Sequence, residues 1–257
     1  MTTNASTDCT TDCTTSASHG SGSGSPLAPY LGGGGDHWDV SENIIVATGA
    51  KHWTGRHSGY TFTQNTGSKQ PTRSDSDTVF GDEYSLDFNR GATQFMECTD
   101  AKLIAAMEGA HSIGILIEVA ADGVAQPVIS YGTLASPSNY EWFGVDTLER
   151  PTFARRNPSN VELSGTALSG GDVRYMVAIW DHAGNVATIR VNGSVDAGPT
   201  ANAQDPTGTG VRLGRIAWSS STSNYFNSKV RHIVVGDHMW DADEIAGVES
   251  YLADFLP

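Results

Sequence analysis

From Trp38 onward the chain is a succession of short apolar strings cut by Gly, Asn, Asp and Pro. That rhythm constrains the fold more than any other feature, because such strings are too short for helices and are bounded by turn residues. Strand candidates are Tyr84 to Phe88, Gln94 to Glu97, Ser112 to Val119, Val128 to Gly132, Val173 to Trp180, Val186 to Val191, Val211 to Ala217 and Val230 to Val235. They are rich in Val, Ile and aromatics, which fit a pleated, half-buried surface. Asp181 to Asn185 reads as a hairpin loop between two of them. In the next strand Ala187, Ile189 and Val191 alternate with Thr188 and Arg190, the period of a strand with one buried face. Asn192-Gly193 then supplies the two positive-φ positions of a type I′ turn. The pattern predicts an all-β, antiparallel sandwich.

One helix is predicted, at the C-terminus. Asp241 and Glu244 have the spacing of a capping box. Ile245, Val248 and Leu252 follow at steps of three and four, with Tyr251 and Phe255 widening the stripe, so a short amphipathic helix should cover one side of the sandwich.

The 257 residues are ample for a packed core. Fifteen Lys and Arg stand against 29 Asp and Glu, a net charge of −14. This charge excludes a nucleic-acid binder, which needs clustered cations, and adsorption to anionic lipid. Arg150, Arg155 and Arg156 are the one local exception. No apolar run reaches membrane length, since Ile113 to Ala121 is interrupted by Glu118, so no membrane insertion is expected. The first fifty residues lack Lys and Arg, and no secretory signal is expected there. Residues 1–36 are dominated by Ser, Thr and Gly and read as a flexible N-terminal arm and linker, leaving 37–257 as the folded domain. Cys9 and Cys13 sit in the repeat TDCTTDCTT of that arm, near Asp8, Asp12 and His19. Their spacing is not that of a zinc site, and exposed thiols or partner contacts are the plainer readings.

Several segments carry a family likeness. WDHAGNVATIRVNGSVDAG resembles the hairpin of the laminin-G-like, concanavalin A-like superfamily. YSLDFNRGATQFMEC, VRLGRIA and KVRHIVVGDHMWDADEIAGVESYLADFL resemble its entry strands, a central strand, and its closing strand with helix. HWTGRHSGYTFTQNTGSKQPT is similar to the lead-in of such domains in phage structural proteins and bacterial surface proteins. The likeness covers Trp38 to Leu256. It departs at Arg90, where a glycine is usual, and at Asn227-Ser228. It implies a jelly-roll sandwich and a virion structural or decoration protein on a phage head or tail. In that setting residues 1–36 would dock on capsid or tail proteins, a homo-oligomer would form within the particle, and a lectin-like domain would display sites for host-surface glycans. A secreted or cell-surface bacterial lectin or adhesin is the alternative, and a glycosidase the remote one.

Chemistry-bearing patterns are sparse. Glycosidases on this fold place carboxylates as Glu-x-Asp-x-x-Glu along one strand, and no such string occurs. Neither a nucleophile elbow, a phosphate loop, a zinc helix nor an EF-hand loop is present, so no catalytic residue is assigned and the expectation is a non-enzyme. The pairs Asp36-His37, Asp181-His182 and Asp237-His238 read as turns. No cofactor is required. Calcium stays a candidate because the resembling family often holds it in rim loops, with Asp75, Asp77, Asp181 and Asp237 as the loop acids to consider. Two aromatic stretches rich in Ser and Asn are the candidate glycan loops: SPSNYEWFG with Asn139, Tyr140 and Trp142, and WSSSTSNYFN with Trp218, Asn224 and Tyr225. Sugars need a flat apolar face to stack on and neutral groups to hydrogen-bond. The competing reading buries Trp142 and Trp218 as plugs of the sandwich.

Overall fold

A computed structural model describes residues 25–133, 138–157, 159–201, 206–216 and 224–257. Along the chain these form β1 (Asp36–Asp39), β2 (Ile44–Val46), β3 (Ala50–Thr54), β4 (Thr61–Thr63), β5 (Thr72–Asp77), β6 (Glu83–Asp87), β7 (Met96–Cys98) and helix α1 (Ala101–Glu108). Then come β8 (His111–Glu118), β9 (Gln126–Gly132), β10 (Tyr140–Val145), β11 (Pro151–Arg156), β12 (Asn160–Ser164), β13 (Val173–Asp181) and β14 (Val186–Val191). The chain closes with β15 (Ser194–Ala201), β16 (Gly210–Leu213), β17 (Lys229–Gly236) and helix α2 (Ala242–Ala253).

Two antiparallel sheets face each other. The eight-stranded sheet runs β15-β14-β13-β8-β17-β6-β5, with β1 also paired to β17. The nine-stranded sheet runs β12-β11-β10-β9-β16-β7-β4-β3-β2. Their inner faces share one core, built from Ile113, Ile115, Met176, Ala178 and Ile233 on one side and Ile129, Phe143, Phe153, Val211 and Leu213 on the other. The predicted all-β sandwich with a short C-terminal helix is the observed architecture. The Asn192-Gly193 turn has φ of 46° and 84°, as a type I′ turn requires. Helix α1 and strands β1 to β5, β10 to β12 and β15 were not foreseen.

The outer face of the eight-stranded sheet is covered. Asp241 and Glu244 form a complete capping box at the start of α2. Its Val248 and Leu252 pack on Leu116, Val177 and Val234. The helix lies close because Gly114 of β8 has no side chain, and a Cβ there would sit 3.3 Å from Leu252 Cδ1. Burying those two side chains stabilises the layer by about 1.5–3 kcal/mol each.

Residues 25–36 correct the expected boundary. Rather than acting as a linker, residues 25–35 form a strap over this same face and Asp36 opens β1, with Leu27 and Leu31 buried beside Trp240. Trp240 Nε1 donates to Tyr30 O at 2.6 Å, and Asp237 N donates to Leu31 O. Leucines that close an apolar layer outweigh the disorder tendency of the glycines around them. Residues 1–24, with Cys9 and Cys13, lie outside the described residues.

The core also holds charge. Glu141 of β10 and Arg155 of β11 both point inward and are fully buried. Glu141 Oε1 lies 2.8 Å from His111 Nε2. Arg155 Nε lies 2.7 Å from Glu141 Oε2, an ionic contact off the N–H axis, so that neither atom is hydrogen-bonded through it. The Arg155 guanidinium stacks on Trp180 at 3.9 Å from the ring centroid.

Candidate functional site

The outer face of the nine-stranded sheet carries no helix of the described residues. Cross-strand pairing draws one continuous row over it: Trp142 opposite Ser130, Ser130 opposite Arg212, Arg212 opposite Glu97, Glu97 opposite Thr63, and Thr63 opposite His52. Directly opposed residues share a face, so this row is a surface assembled from six strands. It alternates with inward neighbours such as Phe143, Val211, Met96, Phe62 and Trp53.

After β16 the chain folds back across this face. Ser130 Oγ donates to Arg215 O at 2.7 Å, and Arg215 makes an isolated bridge with Tyr225. Ile216 closes over Tyr140, Trp142 and Ala154 in a small apolar cluster. Beside it the Phe95 ring is surrounded by three cations, with Arg215 at 4.6 Å, Arg212 at 5.6 Å and Lys69 at 5.9 Å from its centroid. Tyr225 stands edge-on to Phe95 at 6.3 Å and also faces the Arg215 guanidinium at 5.1 Å. Arg212 Nε donates to Glu97 Oε2 at 2.6 Å. Burial lowers the pKa of Arg215 and the neighbouring Arg212 lowers it further, while Tyr225 and Glu97 act against them. Phe95, Lys69 and Arg215 are each partly exposed. In a chain of net charge −14 this is a concentrated cationic and aromatic patch.

The structure places the residues of the two predicted aromatic stretches differently from expectation. SPSNYEWFG is not a loop at its centre: Tyr140 and Trp142 lie on β10 and are buried, at 7% and 5% exposure. Their stretch reads as a loop because the inward residue between them is Glu141, which disguises the alternation of a strand. Tyr225 is buried too, with its carbonyl accepting from Arg90 Nε at 2.7 Å. Asn139 is engaged in holding a neighbouring segment, accepting from Thr207 N at 2.9 Å and donating to Thr207 Oγ1 at 3.0 Å. Asn224 O accepts from Ile216 N, which helps lay the returning chain over the sheet. Trp218 lies outside the described residues. Phe95, Lys69, Arg212 and Arg215 were missed. Phe95 sat in a predicted strand, and only pairing of β7 with β16 brings it to the arginines.

The calcium candidates do not converge. Asp75 and Asp77 belong to β5 and Asp181 ends β13, so three of the four are strand residues rather than loop acids. The Asp77 carboxylate is already engaged by Ser85 Oγ, Val79 N and Lys229 Nζ. Asp237 accepts from Gly34 N at 2.6 Å, and Asp181 from Gly184 N. Among the described residues no group of three or more His, Cys, Asp or Glu is placed to hold a metal ion. The Asp36-His37 pair is likewise no turn but buried strand, where Asp36 accepts from the amides of His37, His57 and Tyr60. Burial raises its pKa against those bonds. Two shallow clefts lie away from the patch, one of about 390 Å³ at Val79, Arg174 and Leu256 and one of about 350 Å³ at Gly34, Lys102 and Asp237.

No protein-family profile matches the chain, and no curated protein matches it by sequence. Solved structures do match in shape. The CBM40 domain of the Ruminococcus gnavus IT-sialidase aligns with a TM-score of 0.50 at 13% identity, over 62% of this chain and 89% of that one. The same domain bound to α2,6 sialyllactose aligns over 58% of this chain and 88% of that one, again at a TM-score of 0.50 and 13% identity. The Trypanosoma rangeli sialidase in complex with sialic acid aligns with a TM-score of 0.57 at 11% identity, over 83% of this chain and 32% of that one. At such identities the likeness is one of fold, and what it establishes is that the chain is a β-sandwich of the kind used by carbohydrate-binding modules and sialidases.

Proposed function

We propose that the chain is a non-catalytic carbohydrate-binding domain that takes an acidic sugar on the outer face of the nine-stranded sheet. The observation that carries this reading is the gathering of Lys69, Arg212 and Arg215 around Phe95. A guanidinium offers a planar pair of donors matched to a carboxylate, and the partly exposed Phe95 ring beside it offers apolar surface for a pyranose. The structural neighbours crystallised with sialyllactose and sialic acid, both carboxylate sugars, support the choice of ligand class.

Calorimetric titration with 3′-sialyllactose and with lactose tests the reading. The acidic sugar should bind and lactose should not. Arg215→Ala should weaken binding by about tenfold or more, as loss of one charge-assisted pair implies. Equal binding of both sugars, or an Arg215→Ala protein that binds as well as the original, would overturn it.

The setting we propose is the surface of a phage particle, with residues 1–36 as the docking arm and residues 25–36 as its packed root. The composition of the arm and the sequence likeness of the lead-in segment support this. Deletion of residues 1–24, which leaves the strap intact, should abolish incorporation into particles; normal occupancy would refute the docking role.

A further inference from the structure

On the covered face of the eight-stranded sheet, two histidines meet in a fully buried position. His37 Nε2 lies 3.2 Å from His232 Nδ1, and both residues are at 0% exposure. The other ring nitrogen of His37 lies 3.0 Å from Ser25 Oγ at the start of the strap. The other ring nitrogen of His232 has no hydrogen-bond partner among the described residues. Tyr251 of α2 stands edge-on to both rings, and Phe255 lies 4.3 Å from the His232 ring. The pair is therefore sealed by the strap on one side and by the C-terminal helix on the other.

We propose that this pair is an acid-sensitive latch: protonation of the two rings releases the strap of residues 25–35 and helix α2 while the two-sheet body stays folded.

The charges around the pair favour its neutral form. From β1 comes Asp39, from β17 Arg231, and from the segment after β3 Arg56; Glu42 pairs with Arg56, Tyr251 faces from α2 and Ser25 from the strap. Asp39 is the anion that could support an imidazolium, and it is already bound by both Arg231 and Arg56. Its pKa is pushed up by burial but held low by His232, Arg231 and Ser41. A second proton on either ring thus adds a cation to a dry site with two arginines nearby. Burial, with Arg56 and Arg231 assisting against Asp39, lowers His37 to about 3 and lowers His232 well below its ordinary value. Once the strap and α2 lift away, both rings reach water and bind protons near 6.5. The latched state is hence fully favoured above about pH 6.5 and loses ground as the pH falls below it.

The connection between β17 and α2 responds in the opposite sense. His238 lies between Asp237 and Glu244, at 3.1 and 2.9 Å, and these bonds outweigh its burial and raise its pKa. Its contribution is complete once it is charged, so it does not offset the drain below pH 6.

Between pH 6.5 and 4.5, His37 alone should raise the latch's opening equilibrium about 50-fold, with the slope approaching tenfold per pH unit below about pH 5.5, and His232 adds to this. Hydrogen exchange read by mass spectrometry, corrected for intrinsic rates, tests it on the full chain. Peptides covering residues 25–35 and 242–253 should lose protection on acidification before peptides of β9 and β10 do. The His37→Gln/His232→Gln protein should keep strap protection nearly level over that range. Simultaneous loss across strap and sheets, or an unchanged acid response in that variant, overturns the latch. Should the variant not fold, imidazole ¹⁵N shifts of the unaltered protein decide: ring protonation must coincide with strap exchange, and protonation without it refutes the proposal.

Discussion

Replacing Glu141 by Gln removes one charge of a buried pair in the core. The side chain keeps its volume, so no cavity forms, but Arg155 is left as a buried cation against Trp180 and His111 loses its carboxylate. Two unit charges about 4 Å apart interact by about 4 kcal/mol at an effective dielectric near 20. Removing one partner of a buried pair costs about 3–5 kcal/mol, in agreement. Against a domain stability of about 5–15 kcal/mol this is a large fraction. For a domain of this size it lowers Tm by about 6–20 °C. Urea unfolding followed by tryptophan fluorescence measures it. The double variant Glu141→Gln/Arg155→Met removes both charges and should recover about 2 kcal/mol or more of the single variant's loss, since an apolar replacement of the whole pair is often tolerated. A Glu141→Gln cost below about 1 kcal/mol, or strict additivity in the double variant, would refute the reasoning that the pair is coupled in a dry core.

Leu252→Ala should cost about 2–5 kcal/mol in the same urea assay, because the methyls it removes fill the gap over Gly114. Asp241→Ala should cost about 0.5–2 kcal/mol by removing the cap bonds to the amides of Asp243 and Glu244, seen as faster exchange of the first turn of α2. Burial pushes the Cys98 thiol up to about 11, so iodoacetamide at pH 8 should leave its peptide unmodified in mass spectra until denaturant is added. His238 carries the raised pKa described above, so its stabilising effect is present below pH 6.5 and lost as pH rises through the folded value; His238→Gln should flatten that alkaline-side fall in Tm.

How legible the molecule was depends on the range of the interactions involved. The turn at Asn192-Gly193, the alternation of Ala187 and Ile189 with Thr188 and Arg190, and the α2 capping box rest on neighbours within a few residues, and all three stand in the structure. Strands β10 and β11 were hidden because Glu141 and Arg155 occupy inward positions. A strand period shows only when inward residues are apolar, and a buried ion pair breaks that sign. The strap was hidden for a related reason, since Leu27 and Leu31 are too few to show a pattern among Pro and Gly.

The sequence by itself determined the class: short strands with turn chemistry between them and one amphipathic helix leave a sandwich as the economical way to bury the apolar faces. Tertiary structure alone decided where chemistry gathers. Lys69, Phe95 and Arg215 are joined because β16 lies between β9 and β7, and Ser25, His37 and His232 because β1 pairs with β17. No local propensity encodes such neighbours. They follow from sheet order, which is set by how the whole core packs, so the candidate site emerges only once distant strands are paired.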